Sequence, residues 1–409
     1  MSNDFTVKDI SLYRIGQQKI DWVSKWMKVL NRLKARYEKT GTFKGKKVAM
    51  CIHLEAKTAY LATVIQHLGA EVWITSSNAM STKDDVCAAL AKRGIHVHAM
   101  HGADKEQYRS FLHAIVSGRP HAVVDDGGDI CELLHEHPEY AEELQGICEE
   151  TTTGVQRLKE KSASGVLKYP ALAINDAQSK YLFDNRYGTG QSTWTAITEL
   201  TNMTIAGRIV VIVGYGWVGR GIAVRAAGLG AEVIITEINP WKAMEARMDG
   251  FQVMPIEQAA ALGDFFVTAT GEDDVIRMEH IARMKDGAFL SNAGHFGYEI
   301  SVPDLYREAL HVHRVRDNIE EISLKNKKKV YLLAGGDIIN IAGGLGHPVE
   351  ILDISFSLQL ASLHHVLSGN CREKRLYKVP VGIDEMVIRE KMKVENIHID
   401  DDTKGVLKR

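Results

Sequence analysis

Two groups of residues in this sequence have the types and spacing that chemistry requires. The run Gly214-Tyr-Gly216-Trp217-Val218-Gly219-Arg220-Gly221 follows an apolar stretch, 209–213, and opens a helical one. A G-x-G-x-x-G phrase in that setting makes a tight turn, lets backbone approach a pyrophosphate, and packs helix against strand. The free N–H groups of the helix start and its dipole favour the phosphates. Glu237 ends the next strand, about twenty residues on, where a carboxylate holds ribose hydroxyls and repels a 2′-phosphate. The expected cofactor is therefore NAD rather than NADP.

The second group is a set of acids, bases and hydroxyls at predicted strand ends, where α/β sheets bind ligands. Asp125-Asp126-Gly-Gly-Asp129 follows one strand; crowded carboxylates repel, raise a pKa, and can make a general base. Helix capping is the plainer reading, more so for Asp129 than for Asp126. Glu149-Glu150-Thr151-Thr152-Thr153-Gly154 supplies two acids and three hydroxyls, or simply a capped helix start. Lys180 and Asp184 are four apart, so on a helix they share a face, as an ordinary surface ion pair also would. His53, His295 and His347 fall at predicted strand ends or hinges. A single buried histidine is usually structural; three so placed suggest acid–base work.

The elements that must position these groups read as an α/β fold of two doubly wound, Rossmann-like domains. Apolar runs at 47–52, 71–75, 121–124, 209–213, 232–236, 265–268, 288–290 and 329–333 alternate with helical stretches, as in parallel sheets covered on both faces. The phrase Leu-Gly-Ala-Glu-Val closes a βαβ unit twice, at 68–72 and 229–233. The expected division is a substrate-binding domain at 1–185, completed by 348–395, an NAD-binding domain at 190–345, and a short tail at 396–409. The segments to about residue 42 read as amphipathic packing helices, and the lysine run 325–329 as a solvated turn. Glycine-rich linkers are expected at 185–190 and 343–348, two crossings that form a hinge. The net charge, 50 − 52 = −2, argues against nucleic-acid or polybasic membrane binding. No apolar run approaches the ~20 residues of a membrane helix, and the first residues lack a signal-peptide core. Five scattered cysteines without a C-x-x-C pair suggest reduced thiols, a cytoplasmic location and no metal site.

Several phrases together resemble the S-adenosylhomocysteine hydrolase family, in its archaeal and thermophilic-bacterial wording. They are His53-Leu-Glu-Ala-Lys-Thr58, Asp125-Asp-Gly-Gly-Asp129, Glu149-Glu-Thr-Thr-Thr-Gly-Val155, Phe183-Asp-Asn-Arg-Tyr-Gly188, the glycine loop 214–221, Gly294-His-Phe296 and Gly346-His-Pro348. The resemblance implies NAD-dependent, reversible cleavage of S-adenosylhomocysteine to adenosine and homocysteine: oxidation at C3′, loss of the C4′ proton, β-elimination, water addition and re-reduction. It implies that Lys180 and Asp184 move the 3′-hydroxyl proton, Glu150 binds the ribose, Asp126 is the base at C4′, and His53 and His295 serve the sulfur and the water. Glu55, Lys57, Thr58 and His347 would hold the nucleoside. Thr151, Thr152, Thr153, Asn185, Gly214, Gly216, Trp217, Val218, Gly219, Arg220, Gly221, Glu237, Ala293, Gly294 and Asn340 would hold NAD. The family also implies a homo-oligomer, tetramer or dimer. Three positions depart from its wording: Gly335 stands where the family has Glu, Asp337 where it has Arg, and Gly297 where it has Asp or Asn. The short tail lacks the family's Lys and Tyr. These departures motivate an alternative, the same chemistry on another nucleoside, such as S-inosylhomocysteine hydrolysis or an angustmycin-type dehydration. A non-catalytic NAD-binding protein is disfavoured because the acids, the lysine and the histidines are all present.

Overall fold

The computed structural model describes residues 4–295 and 297–400, so Phe296 and the last part of the expected tail, 401–409, lie outside the described residues. Among the described residues fifteen strands form in chain order: β1 Lys47–Cys51, β2 Glu71–Thr75, β3 His96–Val97, β4 Ala122–Asp125, β5 Gly146–Glu149, β6 Ala171–Ala173, β7 Ile209–Val213, β8 Glu232–Thr236, β9 Gln252–Val253, β10 Phe265–Thr268, β11 Ala288–Asn292, β12 Ala309–Arg316, β13 Ile319–Leu324, β14 Lys329–Leu333 and β15 Leu376–Lys378. They make two sheets, ordered β15-β6-β5-β4-β1-β2-β3 and β12-β13-β14-β11-β10-β7-β8-β9. The first is parallel throughout. The second is parallel except where β12, β13 and β14 fold back as a meander.

The apolar strand runs explain this burial. Val48 to Cys51, Val123, Val124 and Val210 to Ile212 are all inaccessible, because helices cover both faces of each sheet. The helix Val349–Leu367 follows the second sheet but packs into the core of the first, with Leu352, Phe356, Leu360 and Leu363 among its members. Asp353 on that helix accepts Val29 N–H and Leu30 N–H, both at 2.9 Å, at the uncapped start of the helix Lys28–Glu38. A carboxylate at a helix N-terminus satisfies donors that have no partner within the helix.

The first crossing between the sheets corrects the sequence reading. Residues 185–190 are helical: 181–188 form a wide π-helix that runs straight into the helix Thr189–Thr201. Their glycines serve close packing rather than flexibility. A Cβ on Gly190 would lie 2.6 Å from the Gly221 backbone, and one on Gly221 only 1.8 Å from Arg186 O. The second crossing, 343–348, is a loop as expected. All five cysteines are free and buried.

Candidate functional site

Strands β4 and β5 pair in parallel with Asp125 opposite Glu149, so the chain segments after both strands emerge side by side. Asp125 and Glu149 are fully buried. Asp125 accepts N–H bonds from Ile130 and Cys131, at 3.3 and 2.8 Å. Glu149 accepts Gly127 N–H at 3.0 Å, and Thr151 N–H and Oγ1–H at 2.9 Å each. Its carboxyl rests on Gly154, where a Cβ would come within 2.1 Å. Burial pushes both acids above the usual carboxylate range, reinforced by the charge of Asp129 on Asp125 and of Asp125 on Glu149. The crowded-acid argument from sequence thus applies to Asp125 and Glu149, which brace the loops, while Asp126 and Glu150 face the cavity. Asp129 does not cap its helix through its side chain; it takes Tyr108 O–H at 2.7 Å and Arg157 at 3.2 Å.

Those loops line a cavity of about 1820 Å³ between the two sheets, together with His53, Lys180, Asp184, Asn185, His295 and His347. Lys180 lies 2.6 Å from Asp184, 3.1 Å from Glu150 and 3.0 Å from Asn185 Oδ1, and all four side chains are buried. The wide turn of 181–188 brings Asp184 and Asn185 to the same ammonium. Burial opposes charge on Lys180 and Asp184, but the pair outweighs it: the lysine is raised and the aspartate held well below its ordinary range. Burial pushes Glu150 up despite the nearby Lys180. On the other side of the cavity His53 Nε2 lies 3.8 Å from Asp126 Oδ2, and His295 Nδ1 4.0 Å from Asp126 Oδ1. Burial lowers both histidines, against the pull of Asp126. His347 Nδ1 is 3.4 Å from Asp184, and its Nε2 is 3.1 Å from Thr189 Oγ1.

Glu55 caps the helix Ala56–His67 through Lys57 N–H and Thr58 N–H, and lies 2.7 Å from the Lys57 ammonium. Lys57 also donates to Leu345 O at 2.9 Å, bridging to the second crossing. Glu55 and Thr58 line the cavity; Lys57 stands behind them.

The nucleotide half fits a dinucleotide. Gly214 has φ +98°, and a Cβ on Gly219 would sit 2.0 Å from Gly214 O, so both glycines are obligatory. Gly216 has open space around it, and the helix Trp217–Gly228 begins there without a side-chain cap, leaving its first N–H groups for a phosphate. Glu237 accepts Tyr215 N–H at 2.8 Å and lines the cavity with Trp217, Val218, Arg220, Ala293 and Gly294. Thr151, Thr152 and Thr153 reach it from the other sheet. Gly219 and Gly221 pack helices and do not line the cavity. Asn340 also lies behind the wall; it donates to Ser192 Oγ at 3.1 Å, and its buried Oδ1 has no hydrogen-bond partner among the described residues.

Sequence reasoning missed several neighbours. Ser355 donates to Asp184 at 2.7 Å, and Gln359 donates to Glu150 in a short contact; both come from the helix Val349–Leu367. Polar residues at 355, 357, 359 and 362 inside an otherwise apolar buried helix were the available signal. Asn175 takes Thr152 O–H at 3.1 Å and Asn185 N–H at 3.0 Å, and nothing in its local sequence marks it.

A Rossmann-type nucleotide loop facing a lysine, three acids and three histidines in one cavity defines an NAD-dependent enzyme of acid–base chemistry. The family described as S-adenosyl-L-homocysteine hydrolase matches residues 4–141, and its NAD binding domain matches residues 185–346. The sequence is 50% identical over 402 residues to the adenosylhomocysteinase of Thermococcus kodakarensis, covering 98% of this chain and 96% of that one. It is 48% identical to the adenosylhomocysteinase of Aquifex aeolicus, covering 97% and 96%. It is also 48% identical to the S-inosyl-L-homocysteine hydrolase of Methanocaldococcus jannaschii, covering 98% and 97%. The chain belongs to the S-adenosyl-L-homocysteine hydrolase family, and its cofactor is NAD.

Proposed function

We propose that this protein catalyses the reversible hydrolysis of S-adenosyl-L-homocysteine to adenosine and L-homocysteine. The observation that carries the reading is one cavity holding two acid–base groups, Lys180–Asp184–Glu150 and His53–Asp126–His295, beside a nucleotide loop. NAD⁺, when bound, supplies the hydride acceptor that makes the C4′ proton removable. The chain's residues do the rest. Lys180 and Asp184 together move the 3′-hydroxyl proton, the ammonium giving a proton to the Asp184 carboxylate as it takes one from the hydroxyl, and Glu150 accepts hydrogen bonds from the ribose. Asp126 removes the C4′ proton. Burial weakens the hold of His53 and His295 on a proton, so the proton that Asp126 takes from C4′ and passes to them moves on to the departing sulfur, and the neutral imidazole then takes one from the incoming water. Each proton transfer is worth about 10²–10⁴-fold. The wall of Thr151 to Thr153, Asn185, Ala293 and Gly294 orients the cofactor. The substrate domain is 1–185 with 348–395 and the NAD domain 190–345, the arrangement supported by the return of the helix Val349–Leu367 to the first core. The protein works in the cytoplasm as a homo-oligomer; no described helix is long and apolar enough to cross a membrane.

The Glu55–Lys57 pair favours a second reading, in which the base is a 6-oxopurine. Hypoxanthine presents an N1–H donor where adenine has an acceptor, and the Glu55 carboxylate, which lines the cavity and is held from behind by Lys57, is an acceptor suited to that donor. Thiol release from S-adenosyl- and S-inosylhomocysteine, with mass analysis of the nucleoside, tests both. Homocysteine with adenosine at the higher kcat/KM supports the first reading, a preference for the inosyl substrate supports the second, and no thiol from either overturns both.

A further inference from the structure

We propose that Ser81 is a positioning residue that holds the proton of neutral His53 on Nδ1, leaving Nε2 as the atom that gains and loses protons. The kinetic part rests on the hydrolase reading; the tautomer does not. His53 Nδ1 lies 2.7 Å from Ser81 Oγ, and Ser81 is completely buried at the end of the short helix Ala79–Ser81. A serine hydroxyl has one proton to give. Ser81 Oγ is placed to donate it to Asn78 O at 2.9 Å, a carbonyl that also receives the Ser76 and Thr82 hydroxyls at 2.9 and 3.0 Å. With its proton committed, the hydroxyl presents lone pairs to the imidazole and selects Nδ1–H. Nε2 is not fixed as a donor, since its nearest acid, Asp126 Oδ2, is 3.8 Å away, beyond hydrogen-bond reach. That open nitrogen faces the cavity between Asp126 and the His295 ring, whose centroid is 5.4 Å from its own.

The setting is anchored across the two halves of the molecule. Asn78, whose carbonyl takes the Ser81 proton, donates its side-chain amide to Asp337 Oδ1 at 2.9 Å, from the segment after β14. Asp337 therefore acts, through Asn78, on the backbone that orients the histidine's hydroxyl partner. Asp126, Glu55, Lys180, His295 and His347 are the titratable groups that face His53 and set its pH response alongside Ser81.

The test uses the full-length NAD-bound protein labelled with ¹⁵N-histidine, with the His53 signals assigned by their loss in His53→Asn. In the wild type, Nδ1 is expected at the shift of a protonated nitrogen and Nε2 at that of a bare one; Ser81→Ala should mix the two tautomers and Ser81→Thr should restore the first. An Nε2–H tautomer in the wild type, or no change in Ser81→Ala, overturns the proposal. Kinetics adds the functional arm. Ser81→Ala should slow thiol release about tenfold and move its pH profile while NADH formation from adenosine at 340 nm stays intact, and Ser81→Thr should recover most of the loss. Equal loss in both steps without recovery in Ser81→Thr would mark a merely structural residue and overturn the role. An Nδ1–H tautomer with no thiol from any substrate would uphold the setting of His53 and overturn the hydrolase reading alone.

Discussion

At the scale of single residues, the charge on Lys180 is the most exposed to test. Lys180→Met should leave Asp184 and Glu150 buried without their counter-ion, which costs several kcal/mol and suppresses the first redox step. The expected result is at least a thousandfold loss of NADH formation from adenosine, read at 340 nm. Asp126→Asn should separate the steps differently. NADH should still form, while C4′ deuterium exchange and thiol release fall about 10²–10⁴-fold. Loss of NADH formation in Asp126→Asn would remove that residue from the C4′ role. Most of these groups were legible because each sits in a short phrase whose spacing has a mechanical meaning: the glycine loop, the acids after β4 and β5, and the i,i+4 pair. Ser81, Asn175, Ser355 and Gln359 were not. Their partners His53, Thr152, Asp184 and Glu150 lie 28, 23, 171 and 209 positions away, and only the folded chain brings them together.

At the scale of elements, the helix starting at Trp217 can seat a pyrophosphate only if it lies hard against β7. A Cβ at residue 219 would strike Gly214 O, so Gly219→Ala should shift that helix and strip the protein of cofactor. Purified Gly219→Ala should carry a small fraction of the wild-type NAD, measured after acid release; full occupancy would show that the loop tolerates the strain. The contact between Asn78 and Asp337 belongs to this scale too. Asp337→Ala removes the hydrogen bond that joins the segment after β14 to Asn78, worth about 1 kcal/mol, so nucleoside should dissociate several-fold faster in stopped-flow experiments. Strands β1, β2, β4, β7, β8, β10, β11 and β14 were legible as apolar runs; β3, β6, β9 and β15, of three residues or fewer, were not, nor were β5 and the β12–β13 pair, in which β12 is mostly exposed and carries charged residues that break any apolar run. The helical crossing at 185–190 was misread because its glycines look like a linker until Gly221 is seen packed against Arg186.

At the scale of the whole molecule, stability should depend on pH through its buried acids. Burial pushes Asp353 up to about 6, above an unfolded value of 3.8, despite the two N–H bonds it accepts. An acid whose folded pKa is raised stabilises the fold below its unfolded pKa, and that contribution is lost as pH rises through the folded value. The loss for this group is about 3 kcal/mol between pH 4 and 6. Asp353→Asn should flatten that part of the curve of Tm against pH; an unchanged slope would assign the dependence to other groups, Asp125 and Glu149 first.

The wide helical turn at 181–188 carries a consequence for how this chain can change length. Lys180 reaches residues four and five positions ahead at once, at 2.6 and 3.0 Å. In an ordinary α-helix, at 3.6 residues per turn, the fifth position is turned well away from the first. Deleting one residue inside this turn would let it relax to that tighter pitch and swing Asn185 off the lysine. The crossing should therefore tolerate many substitutions of outward-facing side chains yet refuse single-residue insertions and deletions, the reverse of what a flexible connector permits.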